Sequence, residues 1–162
     1  MKKETVSNTL DATDRAILRH VQQDGALSTP QLAERLALSV TPCWRRLKRL
    51  QDDGYIRDYQ ANLDRRRLGL DVLAYVSLSF ASVGNPQPNA FEALIGDHAQ
   101  VLACHKITGN ADYMLVVVAA NLDHYSQFVE WLRAIPGIHT IHSNLALKEV
   151  KADSRLPLTD GG

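Results

Sequence analysis

Ser39-Val40-Thr41-Pro42-Cys43-Trp44-Arg45-Arg46-Leu47-Lys48-Arg49-Leu50 decides how the first third of the chain folds. Ser39 stands where a helix N-cap belongs, and Val40, Cys43, Leu47 and Leu50 come after it at spacings of 3, 4 and 3. That spacing places the four on one stripe of a helix. At roughly 100° per residue the opposite side presents Thr41, Arg45 and Lys48. Trp44 lies at the border, and Arg46 and Arg49 flank the apolar stripe on its other edge. No acid falls between Thr41 and Leu50. Such a helix buries one face and offers a basic, hydrogen-bonding remainder that suits a major groove. Arg45 is placed for a bidentate contact with guanine. Ser39 and Thr41 sit near the helix N-terminus, where backbone N–H groups favour phosphate. Cys43, on the apolar stripe, reads as a small core residue. Trp44 suits packing beneath the next segment, the reading favoured here, or contact with thymine methyls and sugar.

Two shorter helices precede this one. Asp11 caps the first, with Asp14 three residues on, and Ile17, Leu18 and Val21 form its apolar face; Gly25 falls just past its end. Ser28 and Gln31 have the spacing of a capping box, Pro30 is tolerated in a first turn, and Leu32, Ala33 and Leu36 face inward. Ala37-Leu38 is a short turn. Two helices, a tight turn and a basic third helix read as a helix-turn-helix, and Gly54-Tyr55-Ile56-Arg57-Asp58-Tyr59 as a turn into a strand that makes a small wing. A three-helix bundle used for protein contact fits the same spacing.

Beyond a linker at 61–71 whose Arg65-Arg66-Arg67 suits phosphate or plain solvent, the period changes. Val72, Ala74, Val76, Leu78 and Phe80 alternate with Leu73, Tyr75, Ser77 and Ser79, the mark of a strand. Gly84-Asn85-Pro86-Gln87-Pro88 is a loop, and Phe91, Leu94, Ile95 and His98 mark a helix. Strands come next at 101–108 and 113–120, joined through Gly109-Asn110-Ala111-Asp112. Asn121 caps a helix striped by Leu122, Tyr125, Phe128, Val129, Leu132 and Ile135, Pro136-Gly137 stops it, and 139–147 is a fourth strand. The order β-α-β-β-α-β is ferredoxin-like. Two helices cover one face of such a sheet, yet Met114-Leu115-Val116-Val117-Val118 is apolar on both. A second copy of the chain is the simplest cover, so a homodimer is expected.

The chain as a whole agrees. Its 162 residues allow one sizeable domain or two small ones, and 45% hydrophobic content argues for globular folding. No apolar run is long enough to span a membrane, and the polar start is no signal core, so the cytoplasm is expected. Cys43 and Cys104 make no disulfide framework. The net charge of zero hides an asymmetry: residues 1–68 carry thirteen Lys/Arg against nine Asp/Glu, and residues 69–162 carry five against nine. A balance of +4 on one side and −4 on the other suggests that only one half meets a polyanion.

Several segments resemble the Lrp/AsnC (feast/famine) family of transcriptional regulators: Leu10 to Leu18, Ser39 to Leu50, Gly54-Tyr55-Ile56, Cys104 to Tyr113 and Ile135-Pro136-Gly137-Ile138. The resemblance runs over about 10–158. It implies an α+β chain. Residues 1–60 are then expected to be a winged helix-turn-helix, with Ser39, Thr41, Pro42, Trp44, Arg45, Arg46, Lys48 and Arg49 as its DNA-binding residues. Residues 72–158 are a ferredoxin-like (ACT-like) sensor and dimerisation domain, and 159–162 are a tail. It further implies homodimers that assemble into octamers, double-stranded operator DNA as partner, no cofactor, and a free amino acid as effector. His105, Thr108, Gly109, Asn110, Asp112 and Tyr113 fall in the effector segment. Loop N–H groups there can hold a carboxylate and Asp112 an ammonium; the same residues also make an ordinary tight turn. Asn110 stands where the family usually has an acid, and Gln51 replaces the usual acid after the third helix. The ending from Leu147 to Leu158 looks closest to members that control amino-acid catabolism or detoxification.

Two other functions set the contrast. Sirohaem decarboxylases resemble this family in fold and use histidines, but His20, His98, His105, His124, His139 and His142 are scattered and no catalytic set stands out. A sensing module without DNA affinity lacks a reason for Arg45 and Lys48.

Overall fold

The structure is a computed structural model that describes residues 10–81 and 88–158. The expected loop at Gly84-Asn85-Pro86-Gln87, the polar N-terminus and the tail at 159–162 lie outside the described residues. The chain divides into two compact units: one runs to Asn62 and resumes at Ala152, and the other is Leu63–Lys151.

In the first unit α1 is Ala12–Gln23, α2 Thr29–Arg35 and α3 Val40–Asp52. Both expected capping boxes form, Asp11 with Asp14 and Ser28 with Gln31. Each satisfies two helix-end donors locally, so sequence and structure agree at these ends. Ser39 occupies the N-cap of α3 but makes no side-chain cap bond. Ile17, Leu32, Ala33, Cys43 and Leu50 form the core, with Leu18, Val21, Leu36 and Leu47 against it. Val40, expected in that core, is 48% exposed. It is the first residue of the helix and sits with the outward residues. Two further differences concern turns. Gly25 comes after the C-cap Asp24 without a left-handed backbone; its place is fixed by Tyr59, whose ring carbon would lie 3.1 Å from an added Cβ. The α2–α3 turn bends at Ala37, φ 52°.

A left-handed backbone costs an L-residue roughly 1–2 kcal/mol, and glycine escapes it at some cost in unfolded-chain entropy. Ala37→Gly is therefore expected to stabilise this unit by about 0.5–1 kcal/mol, read from denaturant unfolding monitored by Trp44 fluorescence. Lower stability would show the turn to be unstrained.

No strand forms at 54–59. A strand needs a neighbour to pair with, and none lies beside this segment among the described residues. Gly54 (φ 78°) turns the chain, and residues 55–59 fold back on the helices. Ile56 N–H donates to the Leu50 carbonyl at 3.2 Å. Gln51 Nε2 donates to the Tyr59 hydroxyl at 3.1 Å, so the residue in place of the usual acid anchors the wing segment.

The second unit is β1 (Val72–Phe80), α4 (Pro88–Gly96), β2 (Val101–Lys106), β3 (Tyr113–Ala119), α5 (Leu122–Arg133) and β4 (Ile138–Leu145). The antiparallel sheet has the order β2-β3-β1-β4, the ferredoxin-like arrangement expected. Asn121 caps α5 through His124 N–H at 2.9 Å. Phe91, Ile95, Tyr125, Phe128 and Leu132 of the helices bury Ala74, Val76, Leu78, Leu115 and Val117 on one sheet face. The register sets Ala103, Val116, Tyr75 and Asn144 in one row of the other face, and His105, Met114, Ser77 and His142 in the next. Neither row carries an Asp, Glu, Lys or Arg, and Tyr75 is 43% exposed.

Candidate nucleic-acid interface and effector loop

Helix α3 and its N-cap present Ser39, Val40, Thr41, Trp44 and Arg45 as exposed residues, with Pro42 half-buried; the Lys48 side chain is 53% exposed. Trp44 is 55% exposed, so it is not packed beneath the segment that follows α3. The basic residues divide by their partners. Arg46 Nη1 lies 2.6 Å from Asp11 Oδ2 and 2.9 Å from Asp14 Oδ1, and Arg49 Nη2 grips the other Asp14 oxygen. Asp14 is 1% exposed. Arg46 and Arg49 are thus the counter-ions of a buried carboxylate, with side chains that stay 31% and 40% exposed. The Asp14 backbone N–H, and then Arg46, hold the Asp11 carboxyl below its ordinary value; the two aspartates push the Arg46 guanidinium up. Arg49 Nε finds no acceptor among the described residues. Lys48 pairs with Asp52 at 2.8 Å, both well exposed, and such a surface pair yields readily to a stronger anion. Arg45 has no ion-pair partner among the described residues. Burial pushes the Cys43 thiol up, in keeping with an inert core residue.

In the other unit, Ile107 to Asp112 closes the β2–β3 hairpin and is tied to β1. Asp112 Oδ2 accepts the Phe80 N–H at 2.7 Å, Asp112 N–H donates to Leu78 O at 2.9 Å, and Ser79 Oγ donates to Asn110 O at 3.4 Å. Gly109 takes φ 109°, open to glycine and strained for other residues. Thr108, Gly109 and Asn110 are exposed, and their N–H groups have no acceptor among the described residues. His105 points to the helix-free sheet face. Tyr113 departs from expectation. It is buried against Phe80 and Phe91, and its hydroxyl donates to Glu92 Oε1 at 2.5 Å. Burial, then the Glu92 bond, raises its pKa to about 12. The bonds of Glu92 to Tyr113 and of Asp14 to the arginines are invisible to sequence periodicity because the partners lie 21 and more than 30 residues apart. No group of metal-ligating side chains forms among the described residues.

Residues 73–156 match the Lrp/AsnC ligand binding domain and residues 10–57 a winged helix-turn-helix DNA-binding domain. The chain belongs to the Lrp/AsnC family. This Lrp/AsnC chain is 42% identical over 150 residues to the Bkd operon transcriptional regulator of Pseudomonas aeruginosa, covering 92% of this chain and 98% of that one. It is 34% identical to the DNA-binding transcriptional activator DecR of Escherichia coli, with 92% and 99% covered. Among solved structures it is similar to a transcriptional regulator from Neisseria meningitidis in complex with L-methionine, with 36% identity, a TM-score of 0.88 and coverage of 93% and 97%. The family consists of DNA-binding transcription regulators, and this member is one of them rather than an enzyme. The winged helix-turn-helix match ends at residue 57, inside the strandless segment 54–59.

Proposed function

We propose that this Lrp/AsnC regulator acts in the cytoplasm as a homodimer that places two α3 helices in successive major grooves of an operator, under control of a free amino acid. The observation that carries the DNA half is the outward face of α3. Among the described residues Arg45 stands without an ionic partner beside Thr41, Trp44 and Lys48, while Arg46 and Arg49 fix the helix from behind. Arg45 reads a base edge; Ser39, Thr41, Pro42 and Lys48 lie against the backbone. The dimer rests on the helix-free sheet face with its uncharged rows, and its assembly into octamers on the family. Regulation of amino-acid-related genes, and an amino-acid effector at Thr108, Gly109, Asn110 and Asp112, are supported by the relatives' functions, by the L-methionine in the Neisseria structure, and by the outward N–H groups of this loop.

Fluorescence anisotropy on the DNA upstream of the chain's own gene tests this reading, over a salt titration and with an amino-acid pool. Saturable binding that beats random DNA and weakens with a log–log slope of about −0.9 per phosphate contact is expected. No binding at low salt, to that DNA or a genomic library, overturns it. Arg45→Ala is expected to lower operator affinity by about 1–3 kcal/mol, with much less change on random DNA. Equal losses on both would make Arg45 a phosphate contact.

A further inference from the structure

Val40 opens α3 with an apolar side chain that the core of its unit does not use. It continues the spacing of Cys43, Leu47 and Leu50, yet it is half-exposed, as is Trp44 one turn later. A single exposed apolar residue is ordinary on a protein surface. These two stand at i and i+4, so they share one face of the helix on neighbouring turns. Lys48 extends their column by another turn. Thr41 and Arg45 form a second column, about 100° further round the helix, and all five residues are exposed. The face that carries Arg45 therefore has an apolar border at its N-terminal end. Residues near the N-terminus of a recognition helix are those that meet base edges. The major groove offers them donors and acceptors, and one apolar group, the C5-methyl of thymine. The Val40 side chain has no hydrogen-bonding atom. Against a phosphate or a base-edge donor it would displace water and return no bond. Against a methyl group it gains by excluding water from both.

We propose that Val40, with Trp44 beside it, is a specificity-determining residue that reads the methyl group of a thymine in each operator half-site, next to the base that Arg45 reads. The contact rests on the placement of α3 in the major groove. It adds a hydrophobic element to a reading face whose other exposed members, Thr41, Arg45 and Lys48, recognise by hydrogen bond and charge.

Deoxyuridine pairs as thymidine does and lacks only that methyl, so it isolates the contact. Fluorescence anisotropy of the full-length chain is measured on its operator, located upstream of its own gene, with each thymidine replaced in turn by deoxyuridine. In the parent, replacement at one position of the half-site is expected to weaken binding about fourfold per half-site, the worth of one buried methyl group. Val40→Ala should bind the thymidine and deoxyuridine operators alike at that position and keep the parent's preference for the base that Arg45 reads. Val40→Ile retains the apolar contact and should retain the difference. Each readout is a ratio of two operators on one protein, so a change in folded fraction cancels. A parent that binds its operator and is indifferent to every replacement overturns the methyl contact and leaves α3 in the groove. A thymidine preference that survives Val40→Ala overturns the role of Val40, and its loss in Trp44→Ala would then give the methyl to Trp44 alone. No operator binding by the parent overturns the placement of α3 and the Val40 contact together.

Discussion

Replacing Arg46 and Arg49 together by methionine is expected to unfold the N-terminal unit or bring it close to unfolding. The two arginines answer one carboxylate, Asp14, which is almost wholly shielded from water, while their own side chains remain 31% and 40% exposed. The arrangement is unequal. Without Asp14 the arginines can turn to solvent; without the arginines Asp14 is left charged and buried. Removing the partners of a buried ion costs about 3–5 kcal/mol, against a total domain stability of roughly 5–15 kcal/mol. Asp14→Asn keeps an acceptor and should cost less, on the order of 1–3 kcal/mol. The triple change Asp14→Leu, Arg46→Met, Arg49→Met should recover most of the loss, since an apolar replacement of the whole cluster removes the desolvation cost with the charge. Trp44 belongs to this unit and Trp131 to the other, so each transition can be monitored through the Trp→Phe variant of the opposite unit. If the double variant melts like the parent and only its DNA affinity falls, the arginines read DNA and the clamp is not what fixes α3.

That result bears on what a sequence can disclose. The capping boxes at Asp11 and Ser28, and the cap at Asn121, are legible because donor and acceptor lie within three residues. The strands are legible because burial alternates along β1 and β3. The α3 stripe is legible at Cys43 and Leu50 but not at Val40, which continues the periodicity at the first turn of the helix yet is exposed. Charge is the least legible property. Arg45 and Arg46 are adjacent and look alike, yet helical rotation turns one outward and the other toward Asp11 and Asp14. The tail from Ala152 is expected with the sensor unit. It groups instead with the first unit, where the Gln22 amide bonds both the N–H and the carbonyl of Leu156 at 3.0 Å, across 134 residues. The loop at Gly109 to Asp112 is recognisable as a unit, but its acid already holds β1, and Tyr113 belongs to the core.

Val116→Asp should dissociate the dimer and, with it, tight operator binding. Val116 lies in the helix-free face between Ala103 and Tyr75, while its neighbours Leu115 and Val117 point into the core. A charge at 116 therefore leaves the helix-side packing alone and, in the dimer we propose, meets the second copy. Across a two-fold axis the same face repeats, so two carboxylates are introduced into one apolar contact and neither has a counter-ion in its row. A dimer with two half-sites gains an avidity of about 10²–10⁴ over one reading helix, and that gain is what the substitution should cost. Sedimentation is expected to give a monomer with the parent's circular dichroism. Anisotropy should show an operator affinity lower by about 100-fold or more, with little change on a single half-site. Val116→Ile supplies the control for packing, and it should behave as the parent. A Val116→Asp protein that still sediments as the parent's dimer places the subunit contact elsewhere. One that is monomeric and binds the full operator unimpaired removes the need for two helices on the DNA.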